Sequence, residues 1–112
     1  MKEFALLFRQ PESGRSGLSP KEIQDITNKW QSWAGALQAQ GKTTGVGVRL
    51  STEGKVLKPG GVITDGPFVE IRERLGGLFV VKAETLEEAV TMAHGCPVLE
   101  TGGSVEVRPL FE

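Results

Sequence analysis

Two carboxylates, a turn and an aromatic ring fall within Thr64-Asp65-Gly66-Pro67-Phe68-Val69-Glu70, and Arg72, Glu73 and Arg74 follow closely. A carboxylate partly withdrawn from water acquires the raised pKa that suits a general base, so Asp65 is a candidate acid/base group or ligand anchor. Arg72 or Arg74 could clamp an anionic substrate through the planar fork of the guanidinium, and Phe68 could form a wall of the same pocket. The competing reading is architectural. Asp before Gly is a strong turn signal, Pro67 fixes the exit direction, Phe68 plugs the core, and the charged run is a solvated edge.

Other chemistry-bearing residues lie elsewhere. Trp30 and Trp33 fall on one helical stripe, which is core in most proteins, although large amphipathic rings at a pocket wall also stack on flat ligands. Cys96 is the sole cysteine and His94 the sole histidine. One of each provides neither a metal-ligand cluster nor a disulfide, so no metal and no cofactor is expected. Cys96 follows a helix C-terminus, whose negative dipole end disfavours a thiolate, and reads as a small buried filler or a pocket-lining residue.

These residues must be positioned by two similar halves. "KEFALLFR" is a nearly continuous apolar run that predicts a central strand buried on both faces. Ser19-Pro20-Lys21-Glu22 supplies an N-cap, a proline at the first helical position and a capping box. Behind it Ile23, Ile26, Trp30, Trp33 and Leu37 form the stripe of a long helix that Gly41 ends. "TTGVGVRL" predicts a strand weakened by its glycines, and "KVLKPGGVIT" a hairpin arm folded at Pro59-Gly60-Gly61. "LGGLFVVKA" is the next strand. Thr85 to Glu88 predicts a second capping box and a helix whose inward stripe is Leu86, Ala89, Val90 and Ala93. "GSVEVRP" is the last strand, with Glu106 and Arg108 on one face.

The order strand-helix-strand, inserted hairpin, strand-helix-strand predicts one α+β domain over residues 1–112, a ferredoxin-like βαββαβ fold with both helices on one sheet face. The apolar side chains of the other face then require a cover, most economically a second copy of the chain in a homodimer.

With 112 residues and a net charge of −1, the chain presents no basic stripe for nucleic acid and no apolar stretch long enough to span a bilayer, so neither partner is expected. "MKEFALLFRQ" lacks an extended hydrophobic region with a cleavage site, and a cytoplasmic location is expected.

The ordered series Asp65-Gly66-Pro67-Phe68, Glu70, Glu73, Gly76-Gly77, Cys96-Pro97 and Glu106-Val107-Arg108 resembles the YCII-related family, in the branch named for its Asp-Gly-Pro-Phe motif. The resemblance covers nearly the whole chain. It implies a dimeric α/β-barrel with a pocket in each subunit between sheet, helices and inserted arm. It also implies a function among small-molecule lyases, dehalogenating enzymes or companions of alternative sigma factors. Enzyme-like relatives carry a histidine on the first helix and an aspartate before a proline after the second; Trp30 and Cys96 stand at those places here.

The reading ranked first is therefore a small-molecule-binding module whose ligand-binding residues are drawn from Trp30, Trp33, Asp65, Phe68, Arg72 and Cys96. The alternatives are a lyase or isomerase using Asp65 as acid/base, and a protein-interaction module associated with sigma-factor regulation.

Overall fold

Ser19 opens the first helix as the sequence predicts: its hydroxyl accepts from the Glu22 backbone N–H, and the Glu22 carboxylate accepts from the Ser19 N–H, both at 3.1 Å. The reciprocal pair satisfies two of the N–H groups that a helix start leaves open. The helix, α1 (Pro20–Ala39), closes at Gly41, whose φ of 70° lets its N–H donate to Gln38 while the Lys42 N–H reaches back to Leu37. This pair of hydrogen bonds is the Schellman arrangement, which a residue without Cβ enters freely. The computed structural model describes residues 1–11, 17–51, 53–66 and 73–111, and of residues 11, 44–46, 65, 66, 73 and 74 the backbone alone.

The strands are β1 (Lys2–Pro11), β2 (Thr43–Arg49), β3 (Gly54–Lys58), β4 (Val62–Gly66), β5 (Glu73–Ala83) and β6 (Ser104–Pro109). A second helix, α2 (Leu86–Ala93), and a 3-10 turn over Pro97–Thr101 separate β5 from β6. The main sheet has the order β2-β5-β1-β6, antiparallel throughout. This is the mixed α+β arrangement with two helices expected of a ferredoxin-like fold. Among the described residues β3 and β4 pair only with each other, from Gly54 opposite Gly66 to Lys58 opposite Val62. At their turn Gly60 and Gly61 both take positive φ, 85° and 79°, a region closed to most L side chains.

Alternation along β1 decides where the core sits. Phe4, Leu6 and Phe8 are buried, and their partners across the register, Val81 and Phe79 on β5 and Val107 and Val105 on β6, share that face. Leu37 from α1, Ala89 and Ala93 from α2, and Cys96 and Val98 complete one core cluster there. The opposite face carries Ala5, Leu7, Leu78 and Val80, all half-buried, with Val48 44% exposed at its edge. β1 is thus central, as expected, but within a single chain it is buried fully on one face only.

Two details differ from expectation. On α2 the inward residues are Ala89 and Ala93, whereas Leu86 and Val90 are 41% and 40% exposed; the helix packs through its smallest side chains. Its capping box is also half-formed. Thr85 accepts from the Glu88 N–H at 3.1 Å, but the Glu88 carboxylate turns to the Glu84 N–H at 3.3 Å and to Lys42 at 3.0 Å.

Candidate functional site

One helix face and three strand ends enclose an open cavity of about 320 Å³. From α1, Thr27, Trp30, Gln31 and Ala34 recur at helical spacing and look down on the sheet, with Trp33 beside them. From below come Phe8 and Gln10 of β1, Gly76 to Phe79 of β5 and Gly47 to Arg49 of β2. The size is at the lower end of small-molecule pockets, enough for a ligand of one or two rings.

Four rings build its wall. The Phe8 and Trp30 centroids are 4.9 Å apart at an interplanar angle of 77°, and Trp30 and Trp33 are 5.8 Å apart at 82°. Trp33 lies 5.5 Å from Phe79. These edge-to-face pairs match the quadrupoles of the rings and hold them in place. Trp33 is further fixed because its indole N–H donates to the Met92 carbonyl at 3.0 Å, tying α1 to α2. The Trp30 indole N–H makes no hydrogen bond among the described residues.

Room for the cavity comes from glycines that weaken the strands. A Cβ at Gly47 would lie 3.1 Å from the Phe79 ring, and one at Gly76 3.3 Å from the Gln10 carboxamide. At Gly77 a Cβ would meet the Val48 carbonyl oxygen at 2.7 Å, so only glycine lets β2 and β5 approach there. Opposite Gly77 in the register stands Arg49, exposed at the cavity rim and without an ion pair among the described residues. The described lining residues include no carboxylate, imidazole, thiol or amine.

Of the residues singled out in the sequence, Trp30 and Trp33 line this cavity. Cys96 is 2% exposed and borders a second, more open depression of about 640 Å³ with His94, Lys29 and Glu100, which Trp33 also touches. Burial pushes the Cys96 thiol up to about 11. Asp65 and Gly66, read as the start of a turn, are still strand residues, in register with Lys55 and Gly54. The Asp65 side chain lies outside the description, as do Phe68, Glu70 and Arg72 altogether. Arg74 is placed through its backbone, opposite Gln10.

Sequence reasoning missed Arg49, Phe8, Phe79 and the emptiness over Gly47, Gly76 and Gly77. The glycines were visible but read only as a defect of the strands. Among the described residues no three His, Cys, Asp or Glu side chains gather as metal ligands, and no helix is long and apolar enough to cross a membrane.

A sequence model of the YCII-related domain matches residues 4–112. No curated protein matches the chain. Among solved structures, 5-chloro-2-hydroxyhydroquinone dehydrochlorinase (TftG) from Burkholderia phenoliruptrix AC1100, in complex with 2,5-dihydroxybenzoquinone, is similar at a TM-score of 0.51 and 18% identity, over 97% of this chain and 94% of that chain. At that identity the likeness speaks for the fold alone.

Proposed function

The chain belongs to the YCII-related family, and from that premise we propose that it is a small-molecule-binding module of the Asp-Gly-Pro-Phe branch, a homodimer with one ligand pocket per subunit. The observation that carries this reading is the cavity under α1, where strand glycines clear space in front of four mutually braced rings. A sheet that gives up side chains over its own core loses packing, and an apolar, open hollow with polar groups at its rim is the usual form of a ligand site. A fold-mate, the dehydrochlorinase, also holds a small organic compound in its structure.

Binding is favoured over catalysis because the described cavity walls supply contacts and hydrogen-bond donors but no proton-transfer group. Asp65 is the residue through which catalysis would run. A thermal-shift screen of one- and two-ring metabolites tests the reading. A ligand at about 100 times its Kd should stabilise the fold by about 2.7 kcal/mol, a shift on the order of 10 °C for a domain of this size. Trp30→Leu should remove the shift, whereas Asp65→Asn should keep it. Turnover of the bound compound that Asp65→Asn abolishes would make the protein an enzyme, and a screen that moves nothing would end the binding proposal.

A further inference from the structure

We infer that the occupant of the aromatic cavity is a planar aromatic carboxylate, with its ring among Phe8, Trp30 and Trp33 and its acid group at Arg49. The inference rests on the binding reading above and adds the sign and shape of the ligand.

The shape follows from the walls. Phe8, Trp30, Trp33 and Phe79 surround a hollow of about 320 Å³, and aromatic partners gain from offset or edge-to-face contact beyond the area they bury. The sign follows from the rim. An aromatic box can also hold a cation, but a cation here would face Arg49, and none of the described lining residues carries a negative charge. Arg49 has no ion pair among the described residues, so none of their carboxylates competes for its five donors.

The remaining polar groups agree in kind. The Trp30 indole N–H and the Gln10 and Gln31 side chains make no hydrogen bond among the described residues, and the Thr27 hydroxyl already donates to the Ile23 carbonyl. The set therefore offers an unpaired guanidinium, an indole N–H and amide donors, all of which an anion can use. Bidentate pairing of Arg with a planar carboxylate supplies both charge and orientation.

The test compares 2-naphthoate with 2-naphthamide, molecules of nearly one shape and opposite in what they ask of Arg49. Binding is read by quenching of tryptophan fluorescence in the full chain. The expected result is that the acid binds about 10-fold tighter or better, as suits a charge-assisted contact. Arg49→Gln should erase that preference while leaving amide binding in place, and Arg49→Lys should retain part of it. Lys29→Gln, in the other depression, should change neither. If Arg49→Gln does not fold by circular dichroism, the Arg49→Lys protein and the loss of acid preference at high salt in the unaltered chain decide the matter. Equal binding of acid and amide, or an acid preference that survives Arg49→Gln, overturns the inference and leaves the pocket standing. Binding of neither probe, with Trp30 fluorescence unmoved by both, overturns the inference together with the pocket.

Discussion

Cys96, the residue before Pro97, is made inert by its surroundings. With 2% of its surface exposed and its thiol pushed to about 11 by burial, it is neutral throughout the physiological range. Because the folded thiol holds its proton more tightly than the unfolded one, whose ordinary value is near 9.0, its contribution to stability is complete below about pH 9. It is lost as the pH climbs through about 11. A thiol-reactive disulfide at pH 8 should therefore label the native protein negligibly and the urea-unfolded protein fully; rapid labelling of the native form would show an accessible thiolate. The sequence reached inertness through the helix dipole, whereas the stronger cause is burial, which outweighs the opposing hydrogen bond with the Val98 backbone. Arg49 was unreadable for a different reason: its importance depends on which strand β2 pairs with and in what register, and no local pattern in "TTGVGVRL" encodes the partner.

At the scale of elements, what local chemistry controls was legible and what packing controls was not. Ser19, Glu22 and Gly41 delimit α1 because caps are made within a few residues. The inward stripe of α2 was misread because Leu86 and Val90 are apolar, yet the close approach to the sheet is made by Ala89 and Ala93. The half-formed box at α2 has a consequence for pH. Hydrogen bonds from Lys42 and from the Glu84 N–H hold the Glu88 carboxyl below the ordinary carboxylate range. A lowered value means stability that is present above that range and lost as the pH falls through the folded value. Glu88→Gln should flatten the acid limb of a melting-temperature profile and leave the neutral region little changed, since solvent screens the exposed pair. An unchanged acid limb would show that Lys42 and Glu88 do not hold α2 to the end of α1.

The described residues clad one face of the sheet fully and leave the other half-buried. Ala5, Leu7, Leu78 and Val80 run across the middle of the open face, and Glu106, bonded to Arg9 at 3.3 Å and near Arg108 at 3.7 Å, borders them on β6. In the proposed homodimer this face is the interface, and the charged flank sets its orientation. Leu7→Lys should yield a monomer by sedimentation with its circular dichroism intact; a monomeric unaltered chain at tens of micromolar would remove the dimer. The sheet order also governs how the protein comes into being. β1 is synthesised well before its partner strands, for Phe4 pairs with Val81 and Pro109. At about 5–20 residues per second, Phe4, Leu6 and Phe8 wait for several seconds or more before any strand can shield them. This apolar segment is thus a natural target for cotranslational chaperones, and the rate of folding is tied to the arrival of β5 and β6 rather than to the early helix.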